Sequence, residues 1–174
     1  MKTFVEIGSC DFDTLNYLSD KGWRGVIVEP VKKYLNNIEQ KPNVQYLNYA
    51  VDVTKGTRTI NMASDVEVNK DYTTSGMSSF VRDVDVLTES MLVNTITFED
   101  LISFCDITHI DYLKIDVEGY DFVLIKDFPF DKIKPTFIQV ESEHVDSLDM
   151  AKYLSSHGYH VNYDRTDIYA YYVG

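Results

Sequence analysis

Ile110-Asp-Tyr-Leu-Lys-Ile-Asp-Val-Glu-Gly-Tyr-Asp121 is the stretch that decides the fold. It reads as a buried strand over 110–116 that ends in carboxylates and a glycine, then opens a helix over 121–126. Ligands of an open α/β sheet bind outside the carboxyl ends of its strands. On this reading Ile115 and Val117 pack, while Asp116 and Glu118 face a cleft. Thr3-Phe-Val-Glu-Ile-Gly8 is a second such strand, and Val26-Ile-Val-Glu29 a third that also ends in an acid. Acids at three strand ends predict one composite site.

Working outward, strand signals alternate with helix signals, the mark of an α/β fold with a mostly parallel sheet. Helices are expected over 15–19, capped by Asp13 or Thr14, and over 31–38 behind Pro30. A strand is expected over 44–50, another over 57–62 and a short one over 93–96. Thr97-Phe-Glu-Asp100 has the form of a helix-entry capping box ahead of Leu101. A strand over 135–141 and a helix over 146–156 follow. Strands over 158–163 and 168–173 are joined by Asp164-Arg-Thr-Asp167, too short for a parallel crossover, so this pair is antiparallel. Residues 63–91 break the rhythm and read as an irregular insert within one domain spanning 1–174, a lid or a surface insertion.

The 174 residues are enough for one domain with a large core. A net charge of -12 opposes a nucleic-acid backbone or an anionic membrane as the main partner. Two cysteines make no disulfide scaffold. Met1-Lys2-Thr3 runs straight into a strand, leaving no room for a signal peptide. No apolar run approaches the roughly 20 residues that span a bilayer. A soluble, cytoplasmic protein is expected, its oligomeric state open.

Glu6-x-Gly8 ends the first strand, and Glu29 ends the second about twenty residues later. In that geometry Gly8 lets the backbone approach a ligand, and Glu29 accepts hydrogen bonds from ribose hydroxyls. Any one strand-end acid is ordinarily a solvated surface residue; the set is what points to a site. Phe4-Val-Glu-Ile-Gly-Ser9, Val28-Glu-Pro30, Asn48-Tyr-Ala-Val51, Thr95-Ile-Thr-Phe98, Leu113-Lys-Ile-Asp-Val-Glu-Gly119 and Gln139-Val-Glu141 stand in one order along nearly the whole chain. Together they resemble the FkbM family of S-adenosylmethionine-dependent methyltransferases.

The resemblance implies a Rossmann-like class I methyltransferase fold, mostly parallel, with a C-terminal antiparallel strand pair. It implies that Glu6, Gly8, Ser9 and Cys10 lie at the methionine end of S-adenosylmethionine, Glu29 at its ribose, and Asn48 and Ala50 at its adenine. It places Asp116 and Glu118 beside the transferred methyl. The implied reaction is O-methylation of a sugar or other small metabolite. Cys10 and Phe12 stand where such enzymes carry glycine, and the chain begins at its first strand. These departures motivate an alternative, a degenerate cofactor-binding or interaction module without catalysis. A nicotinamide oxidoreductase is disfavoured because Gly-x-Gly-x-x-Gly is absent.

A hydroxyl acceptor benefits from a general base. Asp116 is the first candidate and His144, in Glu141-Ser-Glu-His144, the second. Glu118, Glu141 and Ser79 are candidate substrate contacts. Asp116, Glu118, Glu141 and His144 could alternatively hold a divalent metal such as magnesium. Their spacing is not diagnostic, and no metal ligand is assigned.

Overall fold

The computed structural model describes residues 1–12, 14–63, 67–69, 72–73, 78–80 and 88–174. In chain order the first half holds β1 (Thr3–Ile7), a 3-10 helix (Leu15–Lys21), β2 (Arg24–Val28), α1 (Lys32–Asn37), β3 (Val44–Leu47) and β4 (Ala50–Val51). It continues with β5 (Gly56–Ala63), β6 (Glu67–Asn69), β7 (Tyr72–Thr73), β8 (Ser78–Ser79) and β9 (Thr88–Ile96). The second half holds α2 (Phe98–Phe104), β10 (Tyr112–Ile115), α3 (Asp121–Asp127), β11 (Phe137–Glu141), α4 (Ser147–Ser156), β12 (Tyr159–Tyr163) and β13 (Asp167–Tyr172).

Seven strands form the main sheet in the order β12-β13-β11-β10-β1-β2-β3. The five from β11 to β3 run parallel, and β13 runs antiparallel to both of its neighbours. β13 therefore inserts between β11 and β12, and the expected C-terminal antiparallel pair is present. The β12–β13 turn is tied by Asp164, whose Oδ1 accepts from the amides of Thr166 and Asp167, both at 2.9 Å.

Strands buried on both faces read as continuous apolar runs, and alternation sorts the side chains to two cores. Val5, Ile7, Val26, Val28, Leu113 and Ile115 face one core, which α2, α3 and α4 cover with Leu101, Leu124 and Met150. Phe4 and Ile27 face the other, under Leu15 and Leu18 of the 3-10 helix and Leu35 of α1. Glu6, two residues beyond Phe4, shares that second face and is fully buried there.

Caps agree with the sequence in two places: Thr14 accepts from the Asn16 amide and Thr97 from the Asp100 amide. Asp146, read as the first residue of its helix, is instead the N-cap and accepts from the Asp149 amide. Asp13, the other expected cap, lies outside the described residues. The first helix is 3-10 rather than α, and Gly22 ends it in the left-handed region at φ 81°. Pro30 is not the first residue of α1, since Val31 takes the N-cap position.

Two expectations are corrected. The strand over 44–50 breaks at Asn48, whose Nδ2 donates to the Glu29 and Pro30 carbonyls at 3.0 and 2.8 Å. The chain then crosses to a second sheet, where Ala50 and Val51 pair with Thr95 and Ile96. That sheet runs β4-β9-β5-β8. β5 and β9 pair from Gly56↔Thr95 to Ala63↔Thr88, so the two ends of the stretch read as irregular, 63 and 88–91, are strand, and the short β6, β7 and β8 lie between them. Within it, 64–66, 70–71, 74–77 and 81–87 lie outside the described residues.

Candidate active site

The carboxyl ends of β1, β2 and β10 open on one cleft, with the Tyr49–Val51 stretch on one side. β5 and β8 contribute Ile60 and Ser78 to a further wall, joined by Phe80. The space, counting the part open to solvent, is about 870 Å³.

Gly8 leaves β1 at φ 78°. Its amide donates to the Val28 carbonyl at 3.0 Å, and the Asp116 amide donates to Ile7 at 3.0 Å. Three strand ends are thereby stitched together. Cys10, also at positive φ (46°), donates its amide to Glu29 Oε2 at 2.8 Å, and Val31 donates to Oε1 at 2.7 Å. Burial pushes the Glu29 carboxyl up to about 7, with Asp11 and Glu6 adding to the rise and these two amides opposing it. Each carboxylate oxygen keeps a further lone pair, and Glu29 lines the cleft. Burial likewise pushes the Cys10 thiol up to about 12, which argues against a nucleophilic thiolate.

On the opposite side, Asp116, Val117 and Glu118 form a loop before α3. Asp121 ties it: Oδ1 accepts from Val117 at 2.9 Å and Oδ2 from Gly119 at 2.9 Å. Asp121 is fully buried, and its carboxyl is pushed up to about 7, chiefly by that burial. Glu118 adopts φ 55°, and Ser79 Oγ donates to its carbonyl at 2.6 Å.

Gly8, Ser9, Cys10, Glu29, Ala50, Asp116 and Glu118 line the cleft together. The other sequence-derived candidates do not. Glu6 faces the second core instead: Oε2 accepts from Thr14 Oγ1 at 2.7 Å and the Leu15 amide at 2.9 Å. Its Oε1 lies 3.4 Å from Lys114 Nζ, its neighbour in the β1–β10 register. Asn48 holds the loop after β2 from behind, and Ser79 grips backbone. Glu141 and His144 stand just beyond the lining, where His144 Nε2 is 3.6 Å from Glu118 Oε2 and 3.7 Å from Glu141 Oε1.

A wall the sequence did not disclose comes from Tyr120. Its hydroxyl donates to Asp52 Oδ1 at 2.8 Å, and Arg58 reaches Asp52 Oδ2 at 3.1 Å. The Arg58 guanidinium lies over both Phe80 and Tyr120, 4.2 and 4.8 Å from the ring centroids. Tyr120 and Asp52 are 68 residues apart, so no local pattern could pair them. Asp121 carried only a general signal, since acids are enriched in the first turn of a helix; its carboxylate reaches back to the loop and does not cap α3.

The sheet order and the site at its strand ends define a class I methyltransferase fold. Similar solved structures agree. One is precorrin-6y C5,15-methyltransferase from Geobacter metallireducens GS-15, with a TM-score of 0.56 at 14% identity, covering 99% of this chain and 80% of that one. Another is a fibrillarin/Nop5p complex, with a TM-score of 0.50 at 12% identity, covering 99% and 73%. At such identities the likeness is one of fold. No curated protein matches the chain.

The family follows from the sequence itself. The methyltransferase FkbM domain matches residues 6–161, and the chain belongs to the FkbM methyltransferase family. Membership implies methyl transfer from S-adenosylmethionine.

Among the described residues, no helix is long and apolar enough to cross a membrane.

Proposed function

We propose that the protein is an S-adenosylmethionine-dependent O-methyltransferase of the cytoplasm, acting on a hydroxyl of a sugar or another small metabolite. The observation that carries this reading is the pairing across one cleft of a ribose-type acceptor, Glu29, with an acid at the reacting end, Asp116. The cleft suits the donor. Glu29 presents a buried carboxylate for hydroxyls, and the apolar side chains of Tyr34, Tyr49, Val51 and Ile60 offer a bed for a flat base. Ser9 and Cys10 supply backbone at the narrow end, and Asn48 fixes the loop beneath Ala50.

When bound, S-adenosylmethionine supplies an electrophilic methyl; the acceptor oxygen forms the new bond, the carbon–sulfur bond breaks, and sulfur keeps the electron pair. Asp116 orients the acceptor hydroxyl and takes its proton. The loop tied by Asp121 holds Asp116 in place, which is most of what an in-line displacement asks of an enzyme. Glu118 lines the acceptor side, with Glu141 and His144 behind it; His144 is the second candidate for the base. Glu29, Asp116 and Glu118 make the lining acidic, so a neutral acceptor suits it better than a phosphorylated one.

Phe12 lines the cleft and is 58% exposed; it favours the second reading, a non-catalytic module. One experiment separates the two. S-adenosylmethionine and S-adenosylhomocysteine are titrated calorimetrically into the protein and into Glu29→Ala, with NAD as control. Saturable binding of the first two, weakened about tenfold or more in Glu29→Ala, establishes the donor site. A screen of sugar hydroxyls then reads transfer; binding without transfer to any acceptor favours the module, and no binding by the folded protein overturns the methyltransferase reading and leaves only an interaction module.

A further inference from the structure

Beside the cleft, three side chains form a mixed donor set. Glu118 follows β10, Glu141 ends β11, and His144 lies three residues further on. One ligand atom of each lies within 4.8 Å of those of the other two. The imidazole nitrogen stands 3.6 and 3.7 Å from the two carboxylates. Those separations exceed the about 2.7–3.2 Å of a good N–H···O bond. They match another geometry: atoms each about 2.1 Å from one divalent ion stand about 3.0 Å apart at right angles and about 3.6 Å apart at trigonal angles.

The side chains of Glu118, Glu141 and His144 are 21, 12 and 26% exposed, open enough for an ion to enter and closed enough to limit competition from bulk water. Glu141 Oε2 is buried and has no hydrogen-bond partner among the described residues. A divalent cation between these three side chains would complete the bonding of Glu141.

We propose that Glu118, Glu141 and His144 form a divalent-cation site at the acceptor end of the cleft. Two carboxylates with one imidazole suit Mn²⁺ or Zn²⁺ better than Mg²⁺, which prefers oxygen alone. This assignment makes His144 a ligand rather than the base. Binding of the ion stands on the geometry alone. Its consequence rests on the methyltransferase reading: Glu118 also lines the cleft, so the ion holds the acceptor oxygen beside Asp116 and makes its hydroxyl more acidic.

The test is Mn²⁺ titration of the chelator-stripped full chain, followed by calorimetry and by electron paramagnetic resonance. One saturable ion per chain is expected, with nitrogen coupling from the imidazole. Glu141→Gln and His144→Ala each weaken binding at least about tenfold, His144→Ala abolishes the nitrogen coupling, and Asp149→Asn on exposed α4 changes nothing. Glu141→Gln is nearly isosteric, so it serves even if His144→Ala fails to fold. Absence of saturable binding, or equal affinity in the ligand variants, overturns the site, the latter showing only counterion attraction to an acidic chain. A parallel S-adenosylmethionine titration keeps the two readings apart. Mn²⁺ binding without donor binding sinks the methyltransferase reading and leaves the site; donor binding without Mn²⁺ does the reverse.

Discussion

A side-chain carbon on Gly8 would lie 1.8 Å from the carbonyl oxygen of Asp116. The glycine that ends β1 is thus fixed by the backbone of the neighbouring strand end as well as by its own φ of 78°. The reading of Gly8 as room for a ligand is incomplete, because the first thing that approaches it is protein. Gly8→Ala must move the Asp116 carbonyl or the β1 turn. The expected cost is about 2–4 kcal/mol of stability, read by denaturant unfolding. An alanine variant as stable as the parent would show that this contact is not tight.

The carboxylate of Asp121 carries the amides of Val117 and Gly119. Asp121→Ala leaves two part-buried donors without it, at about 1–3 kcal/mol. It also loosens the loop that bears Asp116 and Glu118. Methyl transfer should fall more steeply than donor affinity, since Glu29 sits on another strand. Comparing calorimetry with turnover reads the split, and equal losses in both would show that the loop positions nothing.

Glu29 gives two pH dependences of opposite sign. Its carboxyl rises from about 4.5 to about 7 on folding, chiefly through burial. An acid of this kind binds its proton more tightly in the folded state, so it adds stability as pH falls from about 7 to about 4.5 and removes it as pH rises through that window. Thermal melting over this range should show the slope, to which Asp121 contributes with the same sign, and Glu29→Gln should reduce it. Donor affinity should run the other way, because the ionised carboxylate is the better acceptor for ribose hydroxyls. A donor affinity that is constant across the same window would remove Glu29 from the donor site.

Tyr120→Phe deletes only the hydroxyl that reaches Asp52. Asp52 keeps Arg58, so the expected loss is about 1 kcal/mol. Because Tyr120 lines the cleft between Phe80 and the loop of Asp116, ligand affinity should also drop a fewfold. A melting temperature unchanged in Tyr120→Phe would mean that the bond contributes nothing net.

What the sequence determined by itself is what periodicity and local chemistry encode. Runs such as Phe4–Ile7 and Leu113–Ile115 read as buried strands, and the three-residue link between β12 and β13 forces an antiparallel pair. Thr14 and Thr97 announced their helices because a cap acts within its own turn. Glu29, Gly8 and Asp116 were legible as a group because strand ends in a parallel sheet share one edge. Tertiary structure decided what depends on faces and on distant partners. Glu6 looked like a site residue from its place near Gly8, but the two-residue period of β1 puts it on the Phe4 face while Gly8 leaves the strand at positive φ, and Lys114, Thr14 and Leu15 hold it there. The break at Asn48, the β5–β9 pairing and the Asp52–Tyr120 bond join segments that no local pattern links. Side chains from two neighbouring strand ends gather at Glu118, Glu141 and His144 only because the sheet sets β10 beside β11.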